Sequence, residues 1–260
     1  LQEKRERAGA NSRANFGLWA GATADNTDDL NRMVDAGAVG IKIFMGSSTG
    51  PLLVPPGAMD SIFAKTRGLI GCHAEDESIL RELRVVYKDN PSPKHHEVRP
   101  PAAALAAVEH LIELVEAHNR HVHICHLSTA DEMHLLTPVR KRLPITVEAC
   151  PHHLFLSAET SEHLGNLAKC NPPIRAELDR KAMWTAINRG RIDTIGSDHA
   201  PHTLEEKAAD YWDAPSGIPG VETSLPLLLS AVKFGKIALE RMVDLMAEKP
   251  AALFGLTKKG

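Results

Sequence analysis

The chain alternates short apolar runs with longer amphipathic segments, and no other feature constrains its fold as strongly. The longer segments repeat apolar residues at helical spacing, with helix-start and helix-stop residues at their ends. Repeated strand–helix–strand units predict parallel strands joined by crossover helices. The predicted strands are 16–22, 39–45, 68–74, 121–128, 145–151 and 193–200. The predicted helices are 28–37, 101–119, 130–142, 176–190 and two more near 222–234 and 238–247.

The length of 260 residues suits a single barrel or α/β domain. We therefore expect one domain over 1–260. Two Gly- and Pro-rich loops, 46–57 and 210–220, follow predicted strands. Long loops after strands lie at the carboxyl-terminal mouth of a barrel, where active sites sit, so these loops are expected to border a site.

Composition excludes several classes of protein. A content of 43% hydrophobic and 24% charged residues is ordinary for a soluble globular domain. The net charge of -3 and the 4% of aromatic residues argue against a nucleic-acid partner or an anionic membrane surface. No apolar run approaches the ~20 residues of a membrane span, and 1–13 does not resemble a signal peptide. The four scattered cysteines, with Cys72 and Cys150 in the core, predict reduced thiols and a cytoplasmic protein.

Four residues with unusual chemistry stand at or near the ends of predicted strands: Lys42, His73, His126 and Asp198. Strand ends converge on one opening in a closed barrel, so these side chains are expected to meet. Histidine and aspartate are ordinary ligands of a divalent metal. A buried lysine must be paired, neutral or modified, and its neutral amine can react with CO2 to give a carbamate that bridges two metals.

Each of these four residues also fits a structural role when it is taken alone. Lys42 fits an ion pair, either histidine fits a satisfied core position, and Asp198 fits a helix cap. The occurrence of such a residue at the ends of several strands favours a metal centre for the set.

The two-residue period of a strand assigns side chains to faces. If His126 points into the barrel, the odd-numbered residues before it face the helices, so His121 and His123 are predicted to be structural and not a metal pair. By the same rule His199 faces the helices. His202 lies in the loop above the site and could reach a substrate.

Other polar residues near the site have competing structural interpretations. Glu75 and Asp76 are expected to cap the helix after His73. His152 and His153 follow a strand and either line the mouth or are structural. Arg175 is expected at the surface or at a helix start.

Seven motifs in order along the chain resemble the amidohydrolase superfamily. Within it they are most similar to the cyclic amidohydrolases and to the class I dihydroorotases. Hydantoinases with dihydropyrimidinases, and allantoinases, are close alternatives. The former usually differ at the fourth and sixth motifs, and allantoinases differ at the sixth. The motifs are "GIKIFMG", "HAEDE", "HICHLST", "CPHHLFL", "KCNPPIR", "IGSDHAPHTLEEK" and "APSGIPGVETSLPLLL".

The resemblance implies a (β/α)8 barrel of the TIM type that carries two zinc ions. Lys42 would be the carboxylated lysine that bridges both metals, its carbamate derived from CO2. His73 and His126 would bind the second metal. Asp198 would bind the first metal and act as general base and then general acid in the reversible hydrolysis of dihydroorotate to N-carbamoyl-L-aspartate, a step of pyrimidine biosynthesis.

The resemblance also implies substrate contacts. Asn171 and His202 would contact the substrate and its carboxylate, and the backbone near Ser216 and Gly217 would touch the ring. Asn171 alternatively only initiates a turn before two prolines. A homo-oligomer, or an assembly with aspartate transcarbamoylase, is implied by the family alone.

The sequence departs from the family pattern at the first metal. The family has a His-x-His motif, usually followed by arginine, before the bridging lysine, and a small β-sandwich; neither precedes Lys42 here. We expect the first one or two barrel strands and the sandwich to be absent, and the chain to be part of a longer enzyme. The alternative is a non-catalytic dihydroorotase-like scaffold that binds aspartate transcarbamoylase.

Overall fold

Six short strands form one parallel sheet, each hydrogen-bonded to the next along the chain, as the sequence predicts. The computed structural model describes residues 1–48, 50 and 52–259, so parts of the predicted loop 46–57 lie outside the described residues. The strands are β1 (Trp19–Gly21), β2 (Gly40–Phe44), β3 (Ile70–His73), β4 (Val122–Ile124), β5 (Ile145–Ala149) and β6 (Thr194–Ile195).

Helices alternate with the strands, which is the α/β arrangement of a TIM-type barrel. The six predicted helices and the helix expected after His73 are present, and two further helices of ten residues, over 2–11 and 56–65, were not predicted. The longer helices are α1 (Gln2–Asn11), α2 (Thr27–Asp35), α3 (Pro56–Lys65), α4 (Glu77–Tyr87), α6 (Pro101–His118), α7 (Ala130–Val139), α10 (Glu177–Asn188) and α12 (Ser224–Lys233). The shorter ones are α5 (His95–Val98), α8 (Pro151–Phe155), α9 (Ala158–Ser161), α11 (Leu204–Lys207), α13 (Leu239–Val243) and α14 (Lys249–Leu253). A 3₁₀ segment covers Glu162–Ala168 and a π-helical turn covers Asp244–Glu248.

Local signals set where several helices begin. The Asp76 carboxylate accepts hydrogen bonds from the backbone N–H groups of Ser78 and Ile79, both at 3.0 Å, so its predicted role as a cap is confirmed. Thr129 and Glu132 form a capping box at the start of α7. These caps place the helix starts directly after the strand ends, where the candidate residues lie.

One face of the sheet is aliphatic and packs against the helices. Alternate residues of the strands supply it, and their side chains join the main core. Helix α6 covers part of this face with small and aliphatic residues, from Ala103 to Val115. The fully buried members from the strands are Ile41, Ile43, Ile70, Cys72, Val122, Ile124, Val147 and Ala149.

The opposite, inner face is polar. Register pairs Lys42 with Gly71, Gly71 with His123, and His123 with Thr146, and laterally paired residues share a face. At the amino-terminal end of this face the Trp19 ring lies across Gly71, where a Cβ would approach the ring to 2.8 Å. The inner face therefore has an aromatic floor and polar groups above it.

The C-terminal helical segments contact both edge strands of the sheet. Phe254, just after α14, meets Trp19 of β1 edge to face with ring centroids 5.6 Å apart, and the preceding π-helical turn packs on β6. Among the described residues β1 and β6 share no hydrogen bonds. The structure thus presents six strands of the predicted barrel with an opening between β1 and β6.

Within the described part of the chain, every helix is too short or too polar to cross a bilayer.

Candidate active site

Two of the four predicted metal ligands are in direct contact at the carboxyl ends of β3 and β4. His73 is the last residue of β3, and its Nδ1 lies 3.2 Å from Nε2 of His126. Both imidazoles are buried. Burial, together with the nearby Lys42 cation, lowers the pKa of both rings, that of His126 well below its usual range. One nitrogen of each neutral ring therefore faces the other in a buried part of the site.

His126 and Asp198 both have a left-handed backbone, with φ of 40° and 44°. Such values are uncommon for residues other than glycine. The only other one among the described non-glycine residues is Asn119, where a left-handed residue ends helix α6. The two candidate ligands are therefore held in strained turns directly beyond β4 and β6.

The turn at His126 makes one prediction about the strand wrong. Because β4 ends at Ile124 and the backbone turns at His126, the two-residue alternation does not extend from His126 back into the strand. His123 and Cys125 face the inside with Lys42, and not the helices. The Lys42 Nζ lies 3.0 Å from the Cys125 sulfur.

His123 is a paired residue of the inner face. Its Nδ1 lies 3.0 Å from the Thr146 hydroxyl, and its Nε2 lies 3.7 Å from Glu148. The other oxygen of Glu148 accepts a hydrogen bond from the backbone N–H of His126 at 3.2 Å. The prediction that His123 serves a structural role is compatible with this network, but its predicted orientation is wrong.

A buried carboxylate orients His73. Its Nε2 lies 2.9 Å from Glu75 Oε2, while its Nδ1 faces His126. Glu75 is also bonded by the Arg99 guanidinium at 3.1 and 3.2 Å from Nε. Burial alone would raise the pKa of Glu75, but Arg99 and His73 outweigh it and hold that pKa below its usual value.

Arg175 completes this buried charge cluster, which comprises Glu75, Arg99 and Arg175. Its Nη2 lies 4.0 Å from Glu75, and its Nε donates to the Ser128 hydroxyl at 3.1 Å. Only 3% of Arg175 is exposed, so the expectation of a surface residue is wrong. Glu75 is likewise an ion-pair partner and not a helix cap. Sequence reasoning missed Arg99 altogether, because a partner 24 residues away leaves no local pattern.

Lys42, on β2, lies beside Cys125 and near Glu148. Burial acts to lower the pKa of its amine, but Cys125 and Glu148 outweigh burial and the pKa is raised. A cation bound beside an ammonium lowers the pKa of that ammonium, because like charges repel and the neutral amine is then favoured. Metal ions bound at this site would therefore favour the neutral amine of Lys42.

Asp198 stands three residues beyond β6, on the open side of the site. Desolvation of its carboxyl and the neighbouring Glu148 raise its pKa to about 6, against the opposing effect of Lys42. The residue as a whole is exposed. Its neighbour His199 is also exposed, and its Nδ1 accepts hydrogen bonds from the N–H groups of Gly220 and Val221. His199 is therefore structural, as predicted, but it holds a loop instead of facing the helices.

Two of the four predicted substrate contacts, Asn171 and Ser216, line one cavity of about 230 Å³. The Asn171 side chain is held from both ends, by His95 Nε2 at 2.9 Å and by the Ser48 hydroxyl at 3.3 Å. The charged residues that line the same cavity are four cations, Arg81, Arg84, Arg99 and Lys169, and one carboxylate, Asp213. The cavity therefore suits an anionic group.

Gly217 and His202 lie beside that cavity. A Cβ on Gly217 would come within 3.1 Å of the His202 ring, so the two are neighbours. His202 is half-buried, and its Nδ1 lies 3.6 Å from Glu206.

A lysine fixes the loop that carries Ser216 and Gly217. The Lys207 ammonium donates to the carbonyls of Lys169, Pro215 and Gly217 at 3.0, 3.0 and 2.9 Å. Only 6% of Lys207 is exposed. This three-carbonyl anchor was not predicted, although Lys207 ends the motif "TLEEK".

The chain spans about three fifths of the curated relatives that it matches. It is 37% identical over 272 aligned residues to a dihydroorotase of Methanosarcina acetivorans, covering all of this chain and 58% of the relative. A dihydroorotase of Halobacterium salinarum is 36% identical, with all of this chain and 61% of the relative covered. An L-hydantoinase of Paenarthrobacter aurescens is 32% identical, with 98% and 58% covered.

The fold comparison agrees with the sequence comparison. The solved L-hydantoinase of Arthrobacter aurescens superposes with a TM-score of 0.93 at 31% identity, covering 99% of this chain and 60% of that structure. A dihydropyrimidinase of Brevibacillus agri gives a TM-score of 0.84 at 26% identity, with 94% and 56% covered. No protein-family model matches the chain.

Proposed function

Because the chain belongs to the cyclic amidohydrolase family of the dihydroorotases and hydantoinases, we propose that it forms the main part of a zinc-dependent active site that hydrolyses a cyclic amide. We propose dihydroorotate, in reversible exchange with N-carbamoyl-L-aspartate in pyrimidine biosynthesis, as its substrate. The observation that carries this proposal is the facing pair of nitrogens on His73 and His126.

The spacing of that pair fits a shared metal ion. Two ligand nitrogens at about 2.0–2.1 Å from a tetrahedral zinc ion stand about 3.3 Å apart, and the two nitrogens here are 3.2 Å apart. The Glu75 carboxylate, 2.9 Å from Nε2 of His73, favours the tautomer that carries its proton on Nε2, and an adjacent carboxylate is the usual partner of a metal-bound histidine. The unpartnered, buried Nδ1 of His126 shows that this ring has no competing anchor on its far side among the described residues.

The residues that would hold two zinc ions are Lys42 as its carbamate, His73, His126 and Asp198. When bound, zinc supplies a hydroxide nucleophile near neutral pH and polarises the amide carbonyl. The family's other ligands of the first metal, the two histidines of the His-x-His motif, are not among the residues at the strand ends of this sequence.

The chain's own residues move the proton. Asp198 takes the proton of the attacking water and delivers it to the ring nitrogen as the C–N bond breaks. In the metal-free protein, desolvation and Glu148 raise the pKa of this carboxyl to about 6. Zinc ions bound beside Asp198 would lower that pKa, because a nearby cation favours the carboxylate, which is the form that accepts the proton.

The cavity favours dihydroorotate over a neutral ring such as hydantoin. Dihydroorotate carries a carboxylate, and Asn171 and Ser216 border a cavity flanked by Arg84 and Lys169. We propose that Asn171 and His202 contact that carboxylate and that the backbone at Ser216 and Gly217 contacts the ring. Hydantoinase or allantoinase activity is the alternative.

All four candidate ligands are retained, which favours an enzyme over a non-catalytic scaffold that binds aspartate transcarbamoylase. A homo-oligomer and a cytoplasmic location belong to the same proposal, since family membership is their support.

The test combines metal content with turnover. Native mass spectrometry of the zinc-loaded protein should show bound zinc and a CO2 adduct, and both should be lost in Lys42→Ala. Short-chain carboxylic acids should partly restore zinc binding to that variant, because a free carboxylate replaces the carbamate. Hydrolysis is measured with dihydroorotate and hydantoin side by side.

Unchanged zinc content in Lys42→Ala would remove the carbamate from the proposal. Turnover of hydantoin alone would replace the substrate and leave the metal centre standing.

A further inference from the structure

A second group of metal-binding side chains lies where β5 passes into α8. Cys150 is the residue before α8, and His152 and His153 are in its first turn. One donor atom from each of the three lies within 4.8 Å of the others. All three residues are buried, with the cysteine fully so.

The two histidines of this group have nitrogens that nothing in the described chain satisfies. Nε2 of His152 and Nδ1 of His153 are buried and unpartnered. The other ring nitrogen of His153 donates to the Pro172 carbonyl at 3.0 Å. That bond fixes the tautomer and leaves Nδ1 as a lone pair, which is how backbone carbonyls orient metal-bound histidines.

A comparable group on the inner face shows the contrast. His123, Cys125 and Glu148 also lie close enough to share an ion. However, His123 is bonded to Thr146, the Cys125 sulfur contacts Lys42, and Glu148 accepts from His126. That group is satisfied by protein, whereas the group at the start of α8 is not.

We propose that Cys150, His152 and His153 form a binding site for a soft divalent ion of the zinc class, built from residues other than those of the proposed hydrolytic centre. One sulfur and two imidazole nitrogens are donors that zinc prefers. The thiol loses its proton to solvent on binding, because the thiolate is the ligand. Three protein donors leave the fourth tetrahedral position open to water or another ligand.

This site goes beyond the proposed hydrolysis and differs from it in one measurable property. The hydrolytic centre uses nitrogen and oxygen donors, whereas the new site contains a sulfur donor. A thiolate bound to Co2+ gives an intense charge-transfer band in the near ultraviolet, and nitrogen or oxygen ligands do not. Co2+ alone is therefore the probe.

The wild-type protein titrated with Co2+ should develop this band, and Cys150→Ser should lose it. Cys170→Ser is the matched control, since Cys170 is equally buried and its sulfur already contacts the Pro172 carbonyl at 3.3 Å; it should keep the band. His73→Ala should also keep the band while weakening the hydrolytic centre, so failure of one site is distinguishable from failure of the other.

A second measurement needs no variant, in case Cys150→Ser does not fold. X-ray absorption of the zinc-loaded wild-type protein should show a sulfur neighbour at about 2.3 Å. No band at saturating Co2+, a band that survives in Cys150→Ser, or a zinc spectrum without sulfur would each overturn the proposal.

Discussion

The two faces of the sheet are built from the same strands and obey different rules. On the outer face, Ile41, Ile43 and Ile124 are fully buried against helices and need only shape and volume. On the inner face, Lys42, His123 and their neighbours are polar, and each needs a specific partner, because an unpaired buried polar group is costly. The comparison shows that the outer face contributes to stability through packing alone, whereas the inner face also carries the candidate chemistry.

The largest expected difference between an effect on turnover and an effect on stability is at Asp198. Asp198→Asn keeps the size of the side chain but removes the carboxylate that we propose carries the proton. Turnover should fall by about 10²–10⁴-fold, while the unfolding temperature stays near that of the wild type. Steady-state kinetics and a thermal melt on one preparation measure both. Near wild-type turnover would remove Asp198 from the mechanism.

Glu75→Gln tests whether an inner-side charge affects both stability and the metal. The change leaves Arg99 and Arg175 without their anion, which should cost about 3–5 kcal/mol of unfolding free energy. Zinc affinity should fall about 10- to 100-fold, because His73 loses its orienting partner. Urea unfolding and zinc competition titration give the two values.

Asp76→Ala is the control for this experiment, since it removes only the cap of α4 and should cost ~1 kcal/mol with zinc affinity unchanged. Equal zinc affinity in Glu75→Gln and the wild type would contradict the orienting role.

Ile43→Ala tests the outer face. Deleting this fully buried side chain should cost about 2–5 kcal/mol through lost packing, with zinc affinity of the folded protein unchanged. Ile43→Val should cost about 0.5–1.5 kcal/mol and serves as the graded control. A large loss of zinc affinity with little loss of stability would show that the two faces are not separable.

A further expected effect is a dependence of the free energy of unfolding on pH through His95. Burial, assisted by the Arg99 cation, lowers the pKa of His95 to about 3. Between pH about 6.5 and 3 the unfolded chain therefore binds a proton that the folded protein does not. The contribution of His95 to the free energy of unfolding is fully present above this window. It falls as the pH falls through the window, by at most about 1.4 kcal/mol per pH unit.

His95→Gln should show a shallower fall of the unfolding free energy between pH 7 and pH 4, measured by urea titration of the metal-free protein. Parallel curves for the variant and the wild type would exclude His95 as a source of the acid sensitivity.

The sequence was most informative where local patterns determine structure. All six strands and the cap at Asp76 follow from patterns within a few residues. The orientation of His123 was wrong because it depends on the turn at His126, which tertiary contacts impose. The burial of Arg175 was missed because its partner Glu75 is distant in sequence and charged residues usually lie at the surface. The anchoring of Asn171 by His95 has the same character.

The left-handed backbones of His126 and Asp198 limit how this protein can be improved. Replacing either residue by glycine would relax the backbone but delete the side chain that the site requires. Any other side chain would keep the strain and lose the chemistry. Directed evolution for thermal stability therefore has to leave these two positions alone and find its gains elsewhere, in the helices and the aliphatic face, where stability and function do not compete.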